Sequence, residues 1–327
     1  MAELKAFRGI LFCEKQAGDL SLNLSPTHVL SEAEQDELYR RSPYNVIRLE
    51  LAYNWSSDIG QSSRYSRAAA TQKEWLRKEI LVRDKMPAIY VVEENFQFQG
   101  STYRRIGILA AVRVEPYESG NIIPHERTEP GPAADRLALM KATGTNFSPL
   151  MILYRDTPEA TISKLLLRIT SRKPDVTARP PDLPHLRLWK ETKLQMISAL
   201  SQAFRDIKLM MADGHHRYRS ALEYSEDANN DFHSGRELSA HYRSMTLIDI
   251  DDPGLILMGY HRAIEGATED ELKSLKARLQ EICHLREWKH SGCDVGPALE
   301  HELACLPEGQ TAFGIVGLDK GLFHIAT

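Results

Sequence analysis

The sequence predicts an α/β or α+β protein with mixed sheets and flanking helices. Two observations carry that class. Apolar runs with a strand period alternate with helix-period stretches along the whole chain. The composition is that of a globular protein, 42% hydrophobic and 26% charged over 327 residues. That length suits two compact lobes or one large α/β domain, and the expected division is an N-terminal α/β lobe at 1–150 and a second lobe at 151–327.

Ser31-Glu32-Ala33-Glu34 has the pattern of a capping box. A short helix is expected to run from it to about Arg41 and stop at Ser42-Pro43. Tyr44 to Leu51 alternates and reads as a strand, and Asn54 to Ser63 as a polar loop. Arg64 to Leu81 is rich in Ala, Glu, Lys and Arg and reads as a helix, with Ala68, Trp75, Leu76 and Ile80 on its buried stripe. Pro87 to Glu93, a turn at Gly100-Ser101 and Tyr103 to Val114 form a hairpin. A helix over Ala133 to Ala142 and a strand at Leu150 to Tyr154 follow a charged, proline-bounded loop at Pro124 to Pro132.

Thr157-Pro158-Glu159 is expected to start the next helix, with Thr157 as its cap. Ser171 to Pro184 holds Pro174, Pro180, Pro181 and Pro184 and reads as an exposed connection. Beyond it a strand at Leu186 to Trp189, a helix from Thr192 to Phe204 and a strand at Ile207 to Ala212 are expected. That last strand leads into Asp213-Gly214-His215-His216-Arg217-Tyr218 and a helix to about Tyr224, then a polar run to Glu237. Strands at His241 to Ile250 and Leu255 to Tyr260 flank a turn at Asp251-Asp252-Pro253-Gly254. A helix over Glu269 to Cys283 and a hairpin of Ala312 to Gly317 with Leu322 to Ala326 complete the chain.

Lys plus Arg is 41 and Asp plus Glu is 45, so the formal net charge is −4. Such a chain has no global basic field for nucleic acid. The basic spots at Tyr103-Arg104-Arg105 and at Arg67, Arg77 and Lys78 form no stripe, so nucleic acid is not an expected partner. Cys13, Cys283, Cys293 and Cys305 form no C-x-x-C pair and suit a reducing compartment. Cys283-His284 with His290 and Cys293 fits no familiar zinc spacing, and no metal ligand set is assigned. Glu3, Lys5 and Arg8 interrupt the N-terminal apolar residues, and no apolar run reaches the roughly 18 residues of a membrane span. A cytoplasmic location is expected.

The sharpest chemical feature is Asp213 to Tyr218. Gly214 permits a tight turn, the first turn of the helix leaves backbone N–H groups free, and Arg217 adds a bidentate grip on an anion. A phosphate cradle of Gly214, His215, His216 and Arg217 is one reading. In the other, Asp213 caps the helix and the histidines satisfy carbonyls. The second constellation is His125-Glu126-Arg127-Thr128, which supplies a base, His125 or Glu126, and an anion grip, Arg127. Its alternative is a solvated charged turn. Arg136 and Lys141 lie on the next helix and are placed to face the same anion.

The run Met211 to Tyr218 with Ala221-Leu222-Glu223-Tyr224 resembles the signature of the family known as domain of unknown function 1015. Ser42 to Leu49, Pro124 to Thr128, Asp135-Arg136-Leu137, Asn146 to Pro149, Asp252 to Leu255 and His261-Arg262 are similar to further blocks of it, in order along nearly the whole chain. More remotely, Asp213-Gly214-His215-His216-Arg217 is similar to the phosphate-binding turn of the ParB-like and sulfiredoxin-like fold, whose members include kinases of free serine. That resemblance implies such a core in the second lobe. The chain departs from the family at Ser25 to Leu30, where His28 stands in place of an acidic residue, and at Gly259-Tyr260 before His261. It also stops at Thr327 inside an expected strand where relatives continue, which implies a truncated lobe with poor turnover. An exposed apolar edge at Leu322 to Thr327, favouring self-association, would follow.

The function expected from these readings is binding of ATP or ADP with Mg²⁺ and phosphoryl transfer to a small polar acceptor such as an amino acid. Asp213 is assigned to position Mg²⁺ or the acceptor hydroxyl, and Gly214, His215, His216, Arg217, Arg127 and Arg136 to hold phosphates. The alternatives are a nucleotide-sensing regulator without turnover and a degenerate structural homologue.

Overall fold

A computed structural model describes the chain apart from residues 1, 27–29, 56–57, 59–62, 127–129, 232–238, 259–260, 291, 293 and 308. His28, Arg127, Thr128, Gly259, Tyr260 and Cys293 thus lie outside the described residues. The chain forms two units, Met1–Ile256 and Leu257–Thr327.

The first unit begins with β1 (Leu4–Lys5), β2 (Ile10–Phe12), α1 (Glu14–Ala17), α2 (Glu32–Arg41), α3 (Ile47–Glu50) and α4 (Arg64–Arg77). Next come β3 (Leu81–Arg83), β4 (Ile89–Phe98), β5 (Ser101–Arg113), β6 (Ile122–Ile123), α5 (Pro130–Thr143) and β7 (Leu150–Tyr154). The unit ends with α6 (Thr161–Thr170), β8 (Val176–Ala178), β9 (His185–Glu191), α7 (Leu194–Ala203), β10 (Leu209–Asp213), α8 (His215–Asp231) and β11 (Tyr242–Asp249). Nine of these strands form one mixed sheet in the order β6-β10-β7-β11-β5-β4-β9-β8, with β1 on β5. β10 runs parallel to β6 and β11 parallel to β7, while the other neighbours are antiparallel. The mixed α/β class predicted by the alternating periods is the class observed.

Helices α6 and α7 bury Ile162, Leu166, Ile169 and Leu200 in the sheet's core, and α5 and α8 add Met140, Tyr218 and Ala221. Burying each large apolar side chain contributes about 1.5–3 kcal/mol. A smaller core gathers Leu49, Trp75, Ile80 and Leu81, with the rings of Phe12 and Tyr44 about 6 Å from Trp75. Trp75, expected on the buried stripe of its helix, is a core residue, and Trp189 is another. The Ser31–Glu34 capping box is formed, and α4 is capped by Ser63.

Five local expectations are corrected. Tyr44 to Leu51 is not a strand: the buried Asn45 side chain donates to the carbonyls of Leu22 and Leu24 and accepts from the Ile47 amide, which nucleates α3. Helix α6 starts after Thr157, because the Asp156 carboxylate accepts from the amides of Ile162 and Ser163. The proline-rich run holds a short edge strand, β8, paired with β9, and the polar run after Tyr224 continues α8 as far as Asp231, its remainder lying outside the described residues. Residues Leu255 to Met258 are not in a strand. The lobe boundary expected at residue 150 falls inside the large sheet, since β7 sits between β10 and β11.

The second unit holds α9 (Glu269–Ile282), β12 (Leu285–Trp288), α10 (Val295–Ala304), β13 (Phe313–Asp319) and β14 (Leu322–Ala326). Strand β14 lies between β12 and β13, and His324, Ile325 and Ala326 are buried. The apolar strand edge expected at Leu322 to Thr327 is therefore replaced by a paired central strand, tied at Thr327 to the backbone of His284.

Candidate functional site

Strand direction brings distant segments to one edge of the large sheet. Met210 pairs with Ile123 on parallel β6, so Pro124, His125 and Glu126 leave the sheet where β10 ends. Asp213 pairs with Met151 on antiparallel β7, which places Asn146 to Pro149 at the same edge. Met245 pairs with Leu150 on parallel β11, and this brings Arg243 alongside.

Between β10 and α8 the chain turns at Gly214 with φ +99°, and a Cβ there would meet Leu150 Cδ2 at 2.6 Å and Arg217 Nη2 at 3.1 Å. Helix α8 is anchored by its inner face. The Tyr218 hydroxyl donates to the Glu115 carbonyl at 2.7 Å and accepts from the Glu115 amide at 3.0 Å. The Ser220 hydroxyl donates to the Ala133 carbonyl at 2.7 Å.

On one side of this helix start lies a histidine pair. His125 Nδ1 is 2.6 Å from the Met211 carbonyl oxygen. The rings of His125 and His215 meet edge to face, 4.5 Å between centroids. His215 is 2% exposed; its Nδ1 lies 3.2 Å from Glu126 Oε1 and its Nε2 accepts from the His125 amide at 3.4 Å. Burial, with the charge of His125 adding to it, holds the His215 imidazole below the ordinary histidine range, against the pull of Glu126. His125, Glu126 and Arg127 were expected to share one cleft with the Asp213–Arg217 turn; His125 and Glu126 lie beside His215 of that turn, and Arg127 lies outside the described residues.

On the other side, Arg217 folds back across Gly214, pairs with the Asp213 carboxylate and donates from Nη1 to the Pro149 carbonyl at 2.9 Å. Arg217 also lines a small cavity with Arg136, Arg243, Glu50, Thr145, Phe147 and Ser148. Arg136 Nη1 donates to the Glu50 carbonyl at 3.3 Å and Nε lies 3.5 Å from an Asp135 oxygen. The Ser148 hydroxyl donates to the Glu50 carboxylate. Arg243, 4% exposed, donates to the Asn146 side chain and, at 2.8 Å, to the Ser148 carbonyl. Burial, then the positive charge of Arg217, pushes its guanidinium down to about 10.

Of the assigned residues, His125, Glu126 and His215 form one cluster, and Arg136 and Arg217 line the cavity. Asp213 is exposed and engaged by Arg217 rather than by helix amides; among the described residues its carboxylate has no other partner. His216 has a buried Nδ1 without a hydrogen-bond partner among the described residues. Lys141 does not join the anion site; it pairs with Asp227 of α8 at 2.6 Å. The basic spots are also paired, Arg104 with Glu93, Arg105 with Glu94, Arg67 with Asp58 and Lys78 with Glu74. Among the described residues no three His, Cys, Asp or Glu side chains are grouped to hold a metal. No helix among them is long and apolar enough to cross a membrane.

Sequence reasoning missed Arg243 and Glu50. Arg243 alternates with buried Met245 and Leu247 on β11, and a charged residue on the apolar side of a strand is the signal that would have found it.

A family model described as protein of unknown function (DUF1015) matches residues 4–325. No curated protein and no solved structure matches the chain significantly.

Proposed function

We propose that this chain, which belongs to the DUF1015 family, binds a nucleotide by its phosphates at the β10–Gly214–α8 turn and passes a phosphoryl group to a small polar acceptor such as an amino acid. The observation that carries this reading is the outward-facing imidazole of His125, held against the first turn of α8. A helix start offers N–H groups and a favourable dipole to phosphate oxygens, and Arg217 lies across the turn as a cation. His125 takes the proton of the acceptor hydroxyl at Nε2. The hydroxyl oxygen forms its bond to the terminal phosphorus as the bond from phosphorus to the leaving nucleotide oxygen breaks. Glu126 keeps His215, and through it the His125 backbone, in place.

Mg²⁺ takes oxygen ligands and commonly needs only one or two carboxylates beside the phosphates. The exposed Asp213 carboxylate fits that part, and the ion would supply charge neutralisation on the phosphates. The likeness of Asp213 to Arg217 to the ParB-like and sulfiredoxin-like turn supports the reading at the level of those five residues. The Asp213–Arg217 pair favours a second reading, a nucleotide sensor: a phosphate that draws Arg217 from Asp213 alters the turn without turnover.

The test is a thermal-shift panel of nucleotides with Mg²⁺, followed by ADP release with candidate acceptors. A nucleotide-binding chain gains stability by mass action. In Arg217→Ala the affinity is expected to fall by about 1.5–3 kcal/mol, the worth of a charge-assisted pair, in a chain that still folds. No nucleotide-dependent shift would overturn both readings, and a shift without ADP release would select the sensor.

A further inference from the structure

We propose that the cavity between α3, α5, α8 and β11 is a binding site for the carboxylate of a small organic acid, with Arg243 at its base. This goes beyond the nucleotide reading and does not depend on it.

The argument starts from an uncompensated charge. Arg243 is buried, and both of its described hydrogen-bond partners, the Asn146 side chain and the Ser148 carbonyl, are neutral. Among the described residues no carboxylate comes within 4.0 Å of it, and its Nε is buried with no hydrogen-bond partner. A buried cation with no carboxylate in contact is strongly unfavourable, and Glu50 offsets that cost only from across the cavity. The surrounding charges increase the demand. Arg217 and Arg136 line the same cavity, and both add to the positive potential at Arg243. Glu50 is the one acidic residue in the lining; its carboxylate accepts from Ser148 and stands 3.9 Å from Arg136. The lining thus holds three guanidinium groups and one carboxylate, with Arg217 also paired to Asp213 and Arg136 beside Asp135, which leaves Arg243 as the one without a carboxylate in contact among the described residues.

Size selects the ligand. The cavity volume is about 20 Å³. A single water needs about 10–15 Å³ on that measure, so the recess admits about one oxygen-sized group, which a flat carboxylate presents with less bulk than a tetrahedral phosphate. Guanidinium forks match the carboxylate edge in width and charge. Arg217 spans both clusters, since its own turn carries His215 two residues earlier.

The experiment uses the full chain and measures Kd for acetate, succinate and L-serine by thermal shift, against sodium chloride of equal ionic strength and against inorganic phosphate. At least one carboxylate is expected to stabilise the protein beyond chloride and beyond phosphate. Two folded variants read the site. Arg136→Gln, half-buried at the rim, is expected to raise Kd about tenfold. Glu50→Gln, which keeps a hydrogen-bond acceptor for Ser148 and removes the opposing charge, is expected to lower Kd severalfold. The proposal is overturned if no carboxylate stabilises beyond chloride, if phosphate alone does so, or if Kd is unchanged in both variants. Nucleotide shifts are scored separately in the same chains, so either reading can fail while the other stands.

Discussion

The Nδ1 atom of His125 lies 2.6 Å from the carbonyl oxygen of Met211, and this contact decides what the histidine can do. A carbonyl only accepts, so Nδ1 carries the proton and Nε2 presents its lone pair outward. A base poised in this way commonly contributes about 10²–10⁴-fold to a proton-transfer step. His125→Asn keeps a donor for Met211 and removes the base. ADP release with acceptor is expected to fall by that factor, while the nucleotide-induced thermal shift stays. An equal loss of both would assign His125 to binding.

His215 supplies a pH dependence. Its imidazole is held below the ordinary value near 6.5, chiefly by burial, so the folded state binds its proton less readily than the unfolded state. The stability it contributes is fully present above about pH 6.5 and is lost as pH falls through the lower folded value. Unfolding midpoints measured from pH 8 to pH 5 should drop more steeply for the native chain than for His215→Gln. Parallel curves would remove His215 as the titrating group.

Asn45 is expected to be among the costliest single polar residues in the first unit. Asn45→Ala removes hydrogen bonds to Leu22, Leu24 and Ile47 from a fully buried position. At about 0.5–1.5 kcal/mol each, with carbonyls left unpaired, the loss should be about 2–4 kcal/mol by urea denaturation. A loss under 1 kcal/mol, well below that range, would mean that water replaces the amide.

Gly214→Ala should destabilise by about 1–3 kcal/mol, from positive φ and the approach of Leu150 Cδ2. Gly296→Ala is the matched control: its Cβ would meet nothing within 4 Å, it lies in α10, and the change should be neutral or stabilising by up to about 1 kcal/mol. Equal effects at the two positions would show that the Gly214 turn tolerates a side chain.

The legible parts of the molecule are those whose cause is local. The Ser31–Glu34 box, the β4–β5 hairpin and β7 at Leu150–Tyr154 all follow from caps, turns and period. The meeting of His125 and Glu126 with His215 was expected from chemistry, since a phosphate site needs opposing groups around the anion, and not from any local pattern. Tyr44 to Leu51 was misread because its alternation yields to two long-range bonds and one local bond of a single asparagine. Lys141 was misplaced because helix spacing says which residues share a face but not that Asp227 waits opposite. Arg243 and Glu50 come to line one cavity only through the tertiary fold, and no local pattern joins residues that far apart.

The convergence of strand ends at this sheet edge has a consequence for synthesis. The chain reaches His125 early, Ser148 and Asp213 later, and Arg243 only with β11, which is the last strand added to the nine-stranded sheet. A nascent chain leaving the ribosome therefore carries half-built fragments of the edge, with charges still in water, until β11 inserts between β5 and β7. Insertion drives Arg243 into the interior, so completing the sheet carries the desolvation cost of a guanidinium. A small anion present in the cell at that moment would ease the step, acting as a folding effector before it acts as anything else.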